Sequence, residues 1–412
     1  MSVPAPLIIF AVLAVLAVVL LIPTPAQHRE LRARRPKGDV RLDQWAGAVR
    51  ASLPDALSAQ NVTRSGLLQG GQRPLPRIVG KGEPIEHGWK FTLDLPGASI
   101  AEDWDANRIV AALNSGRHLA AVGEIHHAGD GWATFHIHKR EPLSEPVPIP
   151  WKPGELPTCC KPGTVCVGRQ RDGQHIHFDI VGDVGAYASL IAGRRGSGKS
   201  ETARLMVSQM VAWGWAPPTV IDLSRAGVDY RVFQPLLARD IVTTMGDVKK
   251  LLDDLEAEAT ERAQWLRQVG AQKIGRYTAE RPLRPLFWDE FQDASQDKRV
   301  KTRFRSLMQI SRPVGGAPTI ITQYPTNDNV DSTTRAQITN VWSGRVRSYV
   351  ESGVMFSGLP EGSGPHTLRI GPGGGMADND GPDLLTGRAW FASPSWHAAH
   401  VDRLAKRRVR VG

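Results

Sequence analysis

The chain opens on a long apolar stretch. Residues 7–22 contain no polar side chain, and apolar or proline positions continue back to Val3, giving about twenty residues, which is enough to span a bilayer. A cleaved signal peptide would need a cationic segment before the run, and none is present. The pattern therefore predicts one transmembrane helix within residues 1–25.

Positive charges follow this apolar run. They are Arg29, Arg32, Arg34, Arg35 and Lys37. Because cationic flanks stay on the cytoplasmic side, the N-terminus is expected outside and the rest of the chain inside. The sequence thus predicts a single-pass protein of the cell membrane whose remaining domains face the cytoplasm.

Residues 26–84 are predicted to form a juxtamembrane helix and a linker. The helix is expected over 40–57, where apolar residues recur at three-to-four spacing: Leu42, Trp45, Val49, Leu53 and Leu57. Residues 61–84 are rich in Gly, Arg, Gln and Pro without clear periodicity, which is typical of a linker.

A small α+β domain is predicted over 85–150. Residues 89–95 and 132–138 alternate as strands, and residues 103–113 have a helical pattern. His136 and His138 fall on the polar face of the second strand, so solvated histidines are favoured over a metal site. A proline-rich run over 145–162 indicates the boundary with the next domain.

Short apolar runs dominate the region 151–400. Residues 187–192, 218–223, 285–290 and 318–323 are each mostly apolar, and the last three carry a polar or acidic residue at or near their end. Runs of this kind are typical of parallel strands that are buried on both faces. They predict an α/β domain with helices on both sides of a parallel sheet.

The first of these runs leads into a complete GxxxxGK[ST] pattern before a helix. Its residues are Gly193, Arg194, Arg195, Gly196, Ser197, Gly198, Lys199 and Ser200. The glycines allow backbone N–H groups to surround phosphate oxygens at a helix N-terminus. Lys199 is expected at the β- and γ-phosphates and Ser200 on Mg²⁺, so the pattern predicts a nucleotide site that takes ATP and Mg²⁺.

Two acids end the strand over 285–290. Asp289 is predicted to bind the magnesium, and Glu290 to act as general base for the attacking water. Gln323 stands at the end of another strand, where it is a candidate sensor of the γ-phosphate; a satisfied turn amide is the alternative. Ligands of such sheets bind at the carboxyl ends of the strands, where these three residues are expected to meet.

The charge balance favours a polyanionic partner. Lysine and arginine total 51 against 41 acids, a net charge of +10, which suits nucleic acid or an anionic membrane surface. Residues 401–412 are predicted to form a basic tail for non-specific phosphate contacts. Its cations are Arg403, Lys406, Arg407, Arg408 and Arg410.

The chain has three cysteines, Cys159, Cys160 and Cys166, close together in one proline-containing stretch. Their odd number implies no disulfide framework. His175 and His177 follow, but two cysteines are adjacent and no CxxC pair exists, which argues against zinc.

Several motifs resemble those of the FtsK/SpoIIIE-type DNA translocases, especially the DNA-transfer proteins of actinomycete mobile elements. The resemblance covers roughly residues 166–391 and rests on VGRQRDGQHIHFDI, LIAGRRGSGKSE, VIDLSRAGV, LFWDE, ISRPVGGAPTIITQYP and SGRVRSYV. It implies a RecA-like motor that forms a homo-hexameric ring on double-stranded DNA, with Arg312 as arginine finger in a neighbouring subunit and Arg345 as second choice. It also implies that Gln323 is the nucleotide sensor.

The chain departs from the family at several points. Arg194 and Arg195 stand where small or neutral residues are usual, and Tyr324 replaces a common arginine. One transmembrane helix is expected instead of several, and no C-terminal winged-helix module is expected after the motor.

The sequence therefore predicts a membrane-anchored, ATP-dependent translocase of double-stranded DNA. Two alternatives remain open. One is a protein-secretion ATPase, which duplex-DNA stimulation of ATP hydrolysis would distinguish. The other is a membrane-tethered DNA-binding scaffold, against which the intact Lys199, Asp289 and Glu290 argue.

Overall fold

The structure is a computed structural model of the chain. It describes residues 40–64, 77–85, 87–94, 106–114, 120, 122–127, 132–359, 364–381 and 384–411. The transmembrane helix predicted within 1–25 lies outside these residues. Among the residues described, none of the helices has the length and apolar character needed to cross a membrane.

The chain divides into two compact units, Met1–Arg140 and Glu141–Gly412. The predicted boundary at residue 150 therefore needs correction. Val147–Pro148 forms a short strand that pairs with Leu385–Phe391 of the second unit, so residues 141–150 belong with the following domain because their backbone is hydrogen-bonded to it.

The first unit combines two helices with an antiparallel sheet in the order β1-β2-β4-β3. Its described elements are α1 (Val40–Arg64), β1 (Arg77–Ile85), β2 (Gly88–Asp94), α2 (Ala106–Leu113), β3 (Val122–His127) and β4 (Trp132–His138). Strand β1 lies almost entirely within the predicted linker 61–84, so the prediction of a linker there was wrong for residues 77–84. Its glycine- and proline-containing sequence hid the strand, which is stabilised by pairing with β2.

The apolar face predicted for α1 forms part of the core of this unit. Trp45, Val49, Leu53 and Leu57 are buried together with Phe135 of the sheet. The three-to-four spacing places them on one side of the helix. The helix predicted over 40–57 is therefore packed within the first unit.

The prediction for the strand histidines was wrong. His136 and His138 are 7% and 0% exposed, although alternation had placed them on a solvent face. The last four residues of β4 are all buried, and the His136 ring lies 4.6 Å from the ring of His126. Packing on both sides of the strand end thus overrides its alternating pattern.

The second unit is built on a large mixed sheet in the order β11-β12-β13-β10-β14-β15-β16-β6-β7, with β5 beside β16. Its described strands are β5 (Val147–Pro148), β6 (Thr164–Gln170), β7 (His175–Asp179), β8 (Val181–Gly182), β9 (Gly185–Ala186), β10 (Ala188–Ala192), β11 (Thr219–Asp222), β12 (Arg284–Asp289), β13 (Gly316–Thr322), β14 (Ile338–Gly344), β15 (Gly374–Asp378) and β16 (Leu385–Phe391). Its described helices are α3 (Lys199–Trp213), α4 (Met245–Gln268), α5 (Gln292–Ser295), α6 (Lys298–Val314), α7 (Ser332–Arg335), α8 (Tyr349–Met355) and α9 (Pro394–Val411), with 3-10 helices at Val228–Leu236 and Pro365–Thr367.

The parallel strands are buried on both faces. Neighbouring residues of a strand, such as Leu190 and Ile191 or Leu286 and Phe287, belong to two different apolar clusters. One cluster contains residues of α3 and α9, and the other contains residues of α4 and α6. Continuous apolar runs produce this three-layered α/β arrangement because each side of the strand meets a helix layer.

Strand order brings the predicted site together. Strands β11, β12, β13 and β10 are parallel neighbours, so their carboxyl ends lie on one edge of the sheet. Asp222 and Asp289 are register partners at the ends of β11 and β12. The phosphate loop leaves β10 at this same edge, the usual ligand position in such sheets.

The predicted basic tail 401–412 is part of helix α9 and not a separate segment. Val401 and Leu404 are buried in the same apolar cluster as residues of α3. Lys406 pairs at 2.7 Å with Asp402, which lies one turn before it in the helix. The periodicity of the last helix was obscured by its high density of arginine.

Hydrogen bonds also attach α9 to the rest of the unit. The backbone N–H of Gly154 donates to His400 Nδ1 at 2.8 Å, and His400 Nε2 lies 2.9 Å from the Ser208 carbonyl oxygen. Arg403 and Arg407 donate to the Pro153 and Gly154 carbonyl oxygens at 2.8 and 2.7 Å. Two of the predicted tail cations therefore serve the fold.

Candidate nucleotide site

The phosphate loop has the backbone that its glycines predict. Gly193, Gly196 and Gly198 have φ values of 143°, 79° and 98°, a region that L side chains rarely adopt. A Cβ on Gly198 would lie 2.7 Å from the backbone nitrogen of Gly373. Glycine is thus required where the loop turns into α3 and where a second loop approaches it.

Backbone contacts hold the loop in place from two sides. The Arg194 N–H donates to the Arg345 carbonyl oxygen at 2.8 Å, and the Gly373 N–H donates to the Ser197 carbonyl oxygen at 2.8 Å. These partners follow β14 and precede β15. The loop is therefore preorganised by the antiparallel half of the sheet as well as by its own strand.

Lys199 lies in a cleft of about 170 Å³ whose other lining residues include Ser200, Asp289, Glu290 and Gln323. Lys199 is only 6% exposed. Burial lowers its pKa, and the neighbouring Glu290 and Asp289 carboxylates partly oppose that effect. The cleft thus holds a desolvated ammonium opposite two acids.

Asp289 is buried at the end of β12, at 4% exposure. The hydroxyl of Tyr230 donates to Asp289 Oδ2 at 3.0 Å, and the backbone N–H of Glu290 donates to Oδ1 at 2.9 Å. Burial, followed by the Glu290 charge, raises the pKa of Asp289 to about 6, while the Tyr230 hydrogen bond acts in the opposite direction. A cation in the cleft would favour the ionised form.

Glu290 is positioned by two glutamines. Its backbone has φ of 50°, and Gln292 donates to Glu290 Oε2 at 2.6 Å. Gln323 Nε2 donates to Glu290 Oε1. The amide predicted to sense phosphate thus contacts the predicted general base directly, which links the ends of β12 and β13.

The residues fit a magnesium ion. Ser200 and Asp289 line the same cleft and offer hydroxyl and carboxylate oxygens, the hard ligands that Mg²⁺ takes beside nucleotide phosphates. Bound there, the ion would supply positive charge to the phosphate oxygens.

The turn after β11 adds site residues that sequence reasoning did not assign. Asp222 accepts from the backbone N–H groups of Arg225 and Gly227, each at 3.0 Å, and from the Ser224 hydroxyl at 3.2 Å. This turn places Ser224 and Arg225 in the lining of the cleft. An acid at a strand end followed by Ser and Gly is the local pattern that indicates such a turn.

Tyr230 was also missed. It is fully buried in the 3-10 helix Val228–Leu236 and reaches Asp289 from a distant part of the sequence. No local motif marks a tyrosine that positions an acid on another strand.

A second pocket adjoins the phosphate loop on the side of β14 and has a volume of about 540 Å³. Its described lining includes no acid. It does include five exposed arginines, which are Arg194, Arg195, Arg345, Arg347 and Arg369. The unusual Arg194 and Arg195 of the loop are thus part of a larger cationic surface suited to an anionic ligand.

Arg312 does not line this chain's own cleft. It lies in the last turn of α6, and its guanidinium stands 4.8 Å from the ring of Tyr187. Tyr187 immediately precedes β10, whereas the phosphate loop follows β10. Arg312 is therefore at the opposite edge of the sheet, and its role as a finger in trans stays a prediction.

Comparison with known proteins gives structural neighbours. No family model matches the chain, and no curated protein matches it. The structure of the pCW3 conjugation coupling protein TcpA, in monomer form with ATPγS, is similar with a TM-score of 0.58 and 18% identity, over 87% of this chain and 99% of that chain.

Two secretion-related structures are also similar. The cytoplasmic domain of the type VII secretion ATPase EccC of Thermomonospora curvata gives a TM-score of 0.52 and 20% identity, over 62% of this chain and 33% of that chain. EssC (ATPases 2 and 3) from Geobacillus thermodenitrificans gives 0.51 and 12%, over 64% and 52%. The chain therefore has the P-loop ATPase fold found in conjugation coupling and secretion ATPases, as its resemblance to the FtsK/SpoIIIE-type translocases implied.

Proposed function

We propose that the chain is a membrane-anchored ATPase that translocates double-stranded DNA. The observation that carries the ATPase part is one cleft in which Lys199 of the phosphate loop faces Glu290, itself held by Gln292 and Gln323. A desolvated cation and an oriented carboxylate at a helix N-terminus are what ATP hydrolysis requires.

Each residue has a chemical task in this proposal. Backbone N–H groups of the loop and Lys199 bind the β- and γ-phosphates, and Asp289 with Ser200 holds the magnesium. Glu290 accepts the proton of the attacking water. Gln323, bonded to Glu290, connects the state of the phosphates to the end of β13.

Four observations support DNA as the translocated substrate. TcpA, which is matched over nearly its full length, is described as a conjugation coupling protein. The motifs resemble DNA translocases, and the chain carries a net charge of +10. The arginine pocket beside the loop adds positive charge close to the site where ATP energy is released.

The proposed assembly is a homo-hexameric ring in which a neighbouring subunit completes the site. Arg312 is the first candidate for the residue supplied in trans, and Arg345 is the second. Hydrolysis per chain should then rise with protein concentration, since a monomer lacks the arginine that stabilises transition-state charge.

ATP hydrolysis with and without duplex DNA tests the function. We expect duplex DNA to raise turnover severalfold by promoting assembly. Turnover that DNA leaves unchanged, in a preparation that hydrolyses ATP, would remove the translocase proposal and leave the ATPase intact.

A protein-secretion ATPase is the second candidate, and the similarity to EccC and EssC favours it. Such a motor would respond to a secreted protein and not to DNA. A membrane-tethered DNA-binding scaffold would bind DNA without turnover. The DNA-stimulation experiment separates all three.

Non-specific DNA binding should be steeply salt-dependent. Because Leu404 is buried, deleting the end of α9 would damage the fold. The test therefore replaces Lys406, Arg408 and Arg410 with Gln and keeps the helix intact. The slope of log affinity against log salt should become shallower by at most about 2.7, about 0.9 for each of three cations.

Titration of unrelated duplexes at several salt concentrations measures this slope. Replacing Lys249 and Lys250 of α4 with Gln is the matched control and should leave the slope unchanged. A strong preference for one duplex sequence would contradict the non-specific mode, since phosphate contacts do not read bases.

The anchor proposal rests on the apolar run over 7–22 and the arginines after it. The full-length chain should remain in the membrane fraction after high salt or alkali, with the second unit accessible to protease from the cytoplasmic side. Recovery of a soluble chain that begins near Ala26 would indicate a cleaved signal peptide.

A further inference from the structure

Three cysteines and one histidine meet in a cluster away from the nucleotide cleft. Cys159, Cys160, Cys166 and His177 each offer a ligand atom, and these atoms all lie within 4.8 Å of one another. None of the four residues lines the cleft or the arginine pocket. The proposed ATPase function does not use them.

The fold brings the cluster together from two separate pieces of chain. Cys166 of β6 and His177 of β7 are register partners in an antiparallel hairpin, so their side chains project from the same place on the sheet. Cys159 and Cys160 lie in the proline-containing segment that precedes β6. The hairpin thus supplies two ligands and the segment supplies the other two.

Two of the distances in the cluster are close to those of a tetrahedral zinc site. The sulfur atoms of Cys159 and Cys160 are 4.0 Å apart, and Cys160 Sγ lies 3.4 Å from His177 Nδ1. With Zn–S bonds of about 2.3 Å and Zn–N bonds of about 2.0 Å, a tetrahedron separates two sulfurs by about 3.8 Å and a sulfur and a nitrogen by about 3.5 Å. Sequence adjacency of the two cysteines is therefore no obstacle.

We infer that Cys159, Cys160, Cys166 and His177 bind one structural Zn²⁺ ion. Three thiolates and an imidazole form a closed four-ligand set that suits zinc and excludes Mg²⁺, which requires oxygen ligands. Binding converts three thiols to thiolates and releases their protons to solvent.

Groups around the cluster support this assignment. Cys166 is completely buried, and the indole N–H of Trp390 donates to its sulfur at 3.2 Å. An N–H donor at a sulfur stabilises the thiolate and orients it, as outer partners of metal ligands do. Cys159 and Cys160 are more exposed, which gives the ion a path into the site.

The site would stabilise the flank of the helix that begins at the phosphate loop. Gln209 of α3 accepts from the Cys166 N–H at 2.9 Å and donates to the Cys166 carbonyl oxygen at 3.0 Å. Zinc would join the proline-containing segment to β6 and β7. The hydrogen bonds of Gln209 to the Cys166 backbone then connect the metal site to α3.

Metal analysis of the full-length chain, purified with reductant and washed with a weak chelator, tests the inference. We expect about one zinc per chain. Replacement by Co²⁺ should give the intense visible bands of tetrahedral cobalt together with sulfur-to-cobalt charge transfer. Removing the metal with a strong chelator should lower the thermal unfolding midpoint.

Variants locate the ion. Cys160→Ser and His177→Ala should each lose most of the zinc, whereas the matched control His175→Ala should keep it, because His175 lies on the same strand with its ring 5.9 Å from that of His177 and is outside the cluster. If a variant fails to fold, the cobalt spectrum of the unmodified chain decides. Less than about a tenth of an equivalent after reconstitution with Zn²⁺, an octahedral cobalt spectrum, or equal loss in the two histidine variants would overturn the site.

Discussion

A chain carrying Lys199→Ala is expected to lose ATP turnover by at least about a hundredfold, the scale seen when one preorganised donor to a developing charge is removed. The ammonium lies inside the cleft with Asp289 and Glu290. Its loss removes positive charge from the β- and γ-phosphates. Steady-state phosphate release measures the effect.

The fold should survive this substitution. Burial lowers the pKa of Lys199, which means that the folded protein disfavours the charged form relative to the unfolded chain. The charge of Lys199 therefore contributes no stability to the fold at neutral pH. The thermal unfolding midpoint of the variant should therefore be unchanged or higher. Lys249→Ala, which removes an exposed ion pair with Asp297 at 2.8 Å, should leave turnover unchanged. Wild-type turnover in Lys199→Ala would disprove the site.

Local patterns predicted the parts of the fold that local sequence controls. The apolar runs before the phosphate loop and before Asp289 form strands β10 and β12, because a strand buried on both faces must be apolar throughout. The loop glycines were expected to let the backbone curl around phosphate, and their positive φ values agree with such a turn. The phosphate loop and Asp289 were also expected at one edge of the sheet, because parallel pairing places the carboxyl ends of neighbouring strands together.

Features that depend on long-range packing were not predicted. Tyr230 reaches Asp289 through the folded core, and the cysteine cluster depends on the hairpin register that places Cys166 opposite His177. The burial of His138 depends on what covers β4. Each of these contacts joins residues from separate elements, so no regular spacing in the sequence indicates it.

The α9 helix shows a different cause of error. A high local density of arginine was interpreted as a basic tail for phosphate contacts, whereas Val401 and Leu404 keep the spacing of one buried helix face. Arg403 and Arg407 use their guanidinium groups as donors to backbone carbonyl oxygens. Charge alone does not show whether a cation contacts a ligand or its own fold.

A chain carrying Glu290→Gln should bind ATP normally and hydrolyse it about a hundredfold to ten-thousandfold more slowly, the usual contribution of a general base. The amide has the size of the carboxylate but cannot accept the water proton. Both Gln292 and Gln323 donate to Glu290. A glutamine at position 290 has one oxygen and one NH₂ group, so only one of the two partner amides can still donate to it. The other partner amide must rotate to present its oxygen to the new NH₂ group.

Nucleotide binding and turnover must be measured separately to test this role. A fluorescent ATP analogue in equilibrium titration should give an affinity within a few-fold of the unmodified chain, while single-turnover hydrolysis slows. Glu261→Gln, at an exposed position on α4, is the matched control and should change neither quantity. Loss of binding in Glu290→Gln would assign the residue to nucleotide or metal binding, because a base that acts on water contributes only in the transition state.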